Sequence, residues 1–169
     1  MSLSAPVRYS TRPGNPYRVN SYKVRNGTKI YYGALVAIST VGVTDGKLVN
    51  WSSGSGALRF VGVAIPTQSL AAGNALGVAG EVTGNSAGTN ECPVSEGGDL
   101  LENVSVTGAT SAQVLGDPVY ASDENTFTLT ATSNVGAVGV VARYISSGKA
   151  DVQLYSKMEY AAMEDVGQV

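Results

Sequence analysis

From residue 29 to 154 short apolar runs rich in Val, Leu, Ala and Thr are separated by clusters of Gly, Asn, Asp and Ser. Runs of this length, bounded by turn formers at frequent intervals, predict an all-β domain. The expected strands are 35–38, 47–50, 60–65, 75–79, 104–107, 118–121, 126–130, 137–144 and 150–155. Asp45-Gly46 and Ser147-Gly148 lie between pairs of runs and read as hairpin turns. No segment before Tyr155 sustains a helical period, whereas 157–166 predicts a short helix or a tail, with Met158, Ala161, Ala162 and Val166 near one face.

The apolar runs recur in a fixed order. Ile30-Tyr-Tyr-Gly-Ala-Leu-Val-Ala37 leads through Lys47-Leu-Val49 to Phe60-Val-Gly-Val-Ala64 and then Gly73-Asn-Ala75. Gln113-Val-Leu-Gly-Asp-Pro-Val-Tyr-Ala121 leads in the same way through Phe127-Thr-Leu129 to Val138-Gly-Val-Val-Ala142 and then Gly148-Lys-Ala150. Similar units in equal order, with loops of different length, point to an internal repeat. The expected organisation is a compact antiparallel β-barrel or sandwich over 28–155, built from repeat-like halves 28–79 and 108–155. An acidic linker loop, 80–107, is expected between them, and a tail or short helix over 156–169 after them. Gly62 and Gly139 fall inside strands, where glycine marks a bulge or a close backbone approach.

Charge sets the first residues apart. Residues 1–29 carry Arg8, Arg12, Arg18, Lys23, Arg25 and Lys29 and no acid, leaving five bases and thirteen acids for the rest. The same stretch holds Pro6, Pro13, Pro16, Tyr9, Tyr17 and Tyr22 and has neither strand nor helix period. Residues 1–27 therefore read as an extended basic arm that orders on a partner, with a frayed terminus as the bland alternative. Interleaved Arg and Tyr also suit nucleic acid, but the acidic remainder of the chain argues against it.

The chain of 169 residues is 14% charged and has 21 glycines, one cysteine and no histidine. Absence of histidine removes Ser-His-Asp and Cys-His catalysis and His-based zinc sites. Cys92 has no internal disulfide partner, and beside Pro93 it reads as an incidental loop or interface residue. Gly42-Val-Thr-Asp-Gly-Lys-Leu48 is one residue short of a phosphate loop and has leucine where Ser or Thr would hold magnesium. Asp99, Asp117, Asp123-Glu124 and Asp151 form no calcium-loop pattern and read as turn residues. No catalytic residue, cofactor or metal is expected. The opening residues lack a basic and apolar leader, and no run of 18 apolar residues occurs, so the expectation is cytosolic synthesis without a membrane partner.

Gly33-Ala-Leu-Val-Ala37, Phe60-Val-Gly-Val-Ala64, Gly116-Asp-Pro-Val-Tyr-Ala121 with Asp123 shortly after, Val138-Gly-Val-Val141 and the closing Ala150-Asp-Val-Gln-Leu154 together carry a resemblance. Over about residues 28–155 the chain resembles the capsid decoration, or cement, proteins of tailed bacteriophages. The resemblance implies a non-enzymatic β domain that assembles as a homotrimer on the outer surface of the virion head. There it would bridge subunits of the major capsid protein against internal DNA pressure. It also implies a terminal arm that reaches across the shell, although no individual contact carries over.

On this reading Arg8, Tyr9, Arg12, Tyr17, Arg18 and Tyr22 are the expected arm contacts, because Arg and Tyr are enriched at interface hot spots. Trp51, between Asn50 and Ser52, is either a rim anchor at a subunit interface or an ordinary core residue. Deleting 1–24 is then expected to leave the β domain folded and weaken assembly. Two other readings stand beside the cement role: a head-fibre or tail adhesion module recognising a host surface glycan, and a hydrolase relying on carboxylates alone.

Overall fold

The computed structural model describes residues 10–12, 18–40, 46–52, 58–66, 80–131 and 136–165. The protein is all-β with one C-terminal helix. Its strands are β1 (Ser10–Arg12), β2 (Val19–Lys23), β3 (Lys29–Tyr31), β4 (Leu35–Ser39), β5 (Leu48–Asn50), β6 (Leu58–Ala64), β7 (Glu81–Thr83), β8 (Glu91–Ser95), β9 (Leu100–Thr107), β10 (Pro118–Ala121), β11 (Phe127–Thr128), β12 (Gly139–Ser146) and β13 (Lys149–Leu154). A 3-10 turn spans Ala112–Val114, and α1 spans Lys157–Asp165.

A five-stranded sheet and five of the six strands of a second sheet share one topology. The first runs β2-β8-β6-β4-β5; the second runs β9-β13-β12-β10-β11 and is closed by pairing of β11 with β9. In both, the first strand in chain order lies beside the fifth, then come the fourth, second and third. In both, the third strand meets the first in parallel. Phe127 and Thr128 pair with Val106 and Thr107 in the second sheet, while the first is joined edge to edge by the parallel bridge Val24↔Leu48, with the Arg25 N–H donating to the Leu48 carbonyl at 3.0 Å. Register corresponds as well, since Val36 faces Gly62 and Val119 faces Gly139.

These pairings move the expected boundaries. Residues 80–107, expected as a linker loop, carry three whole strands, β7, β8 and β9. β8 completes the first sheet and β9 opens the second. The strand pattern was masked by Pro93 inside β8, a residue that normally argues against a paired strand. Here the Pro93 carbonyl still accepts from the Ile65 N–H at 2.9 Å. The turn before β8 is held by side-chain amides: Asn90 Nδ2 donates to the Thr83 carbonyl at 2.7 Å, and Asn85 Oδ1 accepts from the Thr89 N–H at 2.9 Å.

The expected arm is also part of the fold where it is described. β2 pairs along its whole length with β8, Val24 is fully buried, and β1 lies antiparallel on Leu100, Leu101 and Glu102 of β9. The apolar alternation that announces a strand is missing from Val-Asn-Ser-Tyr-Lys because β2 is mostly exposed. Strand 75–79 and the Asp45-Gly46 turn position 45 lie outside the described residues.

Two clusters make up the interior. Val24, Ile30, Ala34, Val36, Leu48, Val61, Ala64, Val82, Cys92 and Val94 form the smaller one. Leu35, Ala37, Val49, Trp51, Phe60 and Val63 point the other way and join Leu101, Val106, Val119, Ala121, Phe127, Val141 and Val152 in the larger. Side chains alternate across a strand, so β4, β5 and β6 supply both clusters and have almost no solvent face.

Neighbouring strands approach closely at the two interior glycines. A methyl group on Gly62 would overlap the Ser95 carbonyl oxygen, and one on Gly139 would overlap that of Gln153. Gly62 also sits at φ 153°, where a side chain is strained. Gly62→Ala and Gly139→Ala are each expected to destabilise the protein by about 3 kcal/mol, measured as a lowered denaturant midpoint, whereas Gly27→Ala, with open space around it, pays only for its positive φ. Deleting 1–24 is now expected to unfold the first sheet rather than leave it intact, because it removes β2 and Val24. Loss of chemical-shift dispersion or of cooperative melting in the truncated chain checks this.

Candidate functional site

The expected contact residues fall into three groups. Arg8, Tyr9 and Tyr17 lie outside the described residues, and of Arg12 the backbone alone is described, paired with Leu100. Arg18 and Tyr22 lie at the start and within β2, half-buried. Trp51 is fully buried, which overturns its reading as a rim anchor.

Trp51 is a core residue because the chain surrounds it on all sides. Its Nε1–H donates to the Ala121 carbonyl at 2.8 Å, so the indole's polar atom is satisfied inside the larger cluster. Phe60 meets it edge-on at 5.7 Å between ring centroids, and Tyr160 of α1 does so at 6.2 Å. The turn between β10 and β11 is tied to the first sheet twice: Asp123 bridges to Ser52, beside Trp51, and the Leu35 N–H of β4 donates to the Glu124 carbonyl at 2.8 Å.

Tyr160 explains how α1 docks. Of Met158, Ala161, Ala162 and Val166, expected near one face, the first three are exposed, Met158 by 64%, and Val166 lies outside the described residues. A single buried aromatic, with no supporting apolar period, is what the moment of so short a helix cannot reveal. Its start is fixed by a capping box: the Glu159 N–H donates to Ser156 Oγ at 3.2 Å, and the Ser156 N–H donates to Glu159 Oε2 at 2.7 Å. Ser156-Lys-Met-Glu159 was the available signal for that boundary.

Beside this helix is the most developed polar cluster of the described residues. The Glu96 carboxylate, 7% exposed, accepts from Asn20 Nδ2 at 2.6 Å, from the Tyr22 hydroxyl, and from Lys157 Nζ at 3.2 Å. Lys157 Nζ also donates to the Tyr22 hydroxyl at 2.7 Å and stands 5.1 Å from the centre of its ring. Backbone bonds reinforce the junction, with the Glu96 N–H donating to the Arg18 carbonyl and the Lys157 N–H to that of Glu96. Tyr22 thus binds within the chain, in a group that sequence spacing alone does not bring together.

Several carboxylates read as turn residues are structural. Asp151, 3% exposed, accepts from the Asn103 N–H at 2.8 Å and from Arg143 Nε at 2.7 Å, and so braces the bulge where β9 meets β13. Asn103 there adopts φ 53°. Asp99, also buried, accepts from Ser95 Oγ at 2.9 Å. Asp123 keeps its turn role, its Oδ1 accepting from the Asn125 N–H at 3.0 Å.

Open clefts flank these elements. One of about 330 Å³ lies between β6 and α1, with Phe60 and Tyr160 at its apolar side and Arg59, Lys157 and Glu164 at its polar side. Arg59 Nε pairs with Glu164 Oε2 at 3.4 Å across it. A shallower one of about 160 Å³ is lined by Asn103, Ser105, Asn125, Phe127 and Lys149. Among the described residues, no group of three or more His, Cys, Asp or Glu side chains is placed to hold a metal ion. Nor is any described helix long and apolar enough to cross a membrane.

Compared with protein-family models and with curated proteins, the sequence matches none.

Burial moves two ionisable groups up. Cys92, inside the smaller cluster, is pushed up to about 12, and Tyr160 is likewise pushed up to about 12 by burial, with Glu164 adding to it. Both groups keep their protons in the folded chain at a pH where the unfolded chain has begun to lose them. Stability is therefore fully present below the ordinary Cys value of 9.0 and declines as pH rises towards about 12. Denaturant midpoints measured from pH 8 upward are expected to fall, and Cys92→Ala is expected to flatten the part of the decline that begins near pH 9.

Proposed function

We propose that the protein is a non-enzymatic decoration protein of a tailed-phage head, bound to the outer capsid surface and bridging subunits of the major capsid protein. The observation that carries this reading is where the resembling segments lie. Leu35-Val-Ala37, Phe60-Val-Gly-Val-Ala64, Pro118-Val-Tyr-Ala121, Gly139-Val-Val141 and Ala150-Asp-Val-Gln-Leu154 fall in β4, β6, β10, β12 and β13, the framework of both sheets. A likeness in those segments is a likeness in architecture, not in a few surface positions.

The physical character of the chain suits a cementing role. A fold fused through β4, β5 and β6 is a stiff block, and a stiff block loses little conformational freedom when it bridges two subunits. Only 14% of residues are charged, which lowers the desolvation cost of packing against a protein shell. Large apolar side chains stand out on the described surface at Val19, Leu115, Ile145 and Met158, with Leu115 62% exposed. Modest contacts of this kind, repeated over a lattice, give strong binding through avidity. Assembly as a homotrimer supplies the multivalency.

Light scattering combined with sedimentation tests the reading. The purified chain is expected to be a trimer and to co-sediment at saturating stoichiometry with expanded phage capsids lacking decoration. It is also expected to raise the temperature at which those capsids open. A chain that stays in the supernatant at all ratios overturns the proposal, and retention on a host glycan without capsid binding would assign it instead to an adhesion module.

A further inference from the structure

We propose that Glu96 is the pin of a latch that couples the seating of the N-terminal strand β2 to the docking of the C-terminal helix α1. The two elements are far apart in sequence, Tyr22 and Lys157 being separated by 135 residues. Among the described residues they meet through this cluster. Glu96 lies just past the end of β8, the strand that holds β2, and its own backbone carbonyl receives the first N–H of α1.

The chemistry makes the coupling reciprocal. With β2 in place, Asn20 and Tyr22 donate to the Glu96 carboxylate and the Tyr22 hydroxyl offers its lone pairs to Lys157. If β2 leaves, Glu96 loses two of its three side-chain donors and Lys157 loses one of its two acceptors along with the Tyr22 ring. A carboxylate that is 7% exposed is then under-bonded, and the lysine's best remaining course is to turn to water. If α1 leaves first, the same carboxylate and hydroxyl lose their cation. Each element is therefore held more firmly when the other is present, by the same factor in both directions.

What the latch guards is the Trp51–Phe60 aromatic face. Tyr160 is the group of α1 that covers it, at 6.2 Å from Trp51 and 5.6 Å from Phe60 between ring centroids. The rest of α1 has little holding power: its described inner contacts are Tyr160, the capping box and the Arg59–Glu164 pair, the last largely solvated. Withdrawal of β2 is thus transmitted to the far end of the chain as exposure of an aromatic surface. This coupling rests on the cluster geometry and holds whether or not the capsid reading does.

Hydrogen exchange on the full chain, with the emission of the single tryptophan as a second readout, tests it. Tyr22→Phe removes the hydroxyl on β2 and is expected to speed exchange of the Tyr160 amide and those after it about tenfold, the worth of one charge-assisted hydrogen bond. Trp51 emission is expected to shift to longer wavelength. Lys157→Met, on α1, is expected to speed exchange in β2 by a similar factor, and the double variant to show less than the product of the two. Met158→Ala, on the exposed side of the same helix, is expected to change neither element. If Tyr22→Phe does not fold, Asn20→Ala gives a milder disturbance of the same carboxylate with the same expected pattern. Exchange that accelerates only in the substituted element, with β12 and β13 amides unchanged, overturns the latch.

Discussion

Everything in this fold depends on β4, β5 and β6 being buried from both sides. Leu35, Ala37, Val49, Phe60 and Val63 look into one cluster while Val36, Leu48, Val61 and Ala64 look into the other. A sheet that is apolar on both faces over most of its length has little water-compatible surface, so it must be covered twice. The second sheet supplies the second cover. That requirement turns two small closed layers, each too small to bury a substantial core alone, into one body. It also explains why Trp51, in the connection that leaves β5, ends as a core residue bonded to β10.

Gly62 and Gly139 are the corresponding constraint on the backbone. Each faces a valine of the second strand in its sheet, and each lets the fifth strand approach more closely than a side chain allows. These two residues take equal places in two layers of equal strand order. What recurs is a strand, a partner facing a glycine, and a final strand packed over that glycine.

The parts of the fold that were legible in sequence are those where burial writes a pattern. β4, β6, β10, β12 and β13 all announce themselves as Val-, Leu- and Ala-rich runs, and Pro118 starts β10 where a proline is tolerated. The strands without a long apolar run were not legible. β2 is polar because it lies at the surface, β7 is three residues long, and β8 contains a proline. Boundaries drawn from apolar runs therefore placed a loop where the fifth strand of one layer and the first of the next lie. The polar cluster around Glu96 was hidden for a related reason. Its members come from residues 20, 22, 96 and 157, and only the completed first layer brings them together.

Placement of β1 on β9 has a consequence for how the chain reaches this state. β1 pairs with residues 100–102, so this first described strand cannot find its partner until some ninety later residues have been made. Meanwhile β2, β4, β5, β6 and β8 can assemble the first layer, and they complete it before β9 emerges. The N-terminal strand then comes down as a late suture across a layer built from the other half of the chain. Synthesis thus runs from one layer to the next, while the last stitch runs backwards and binds a strand that precedes the first layer to the strand that opens the second.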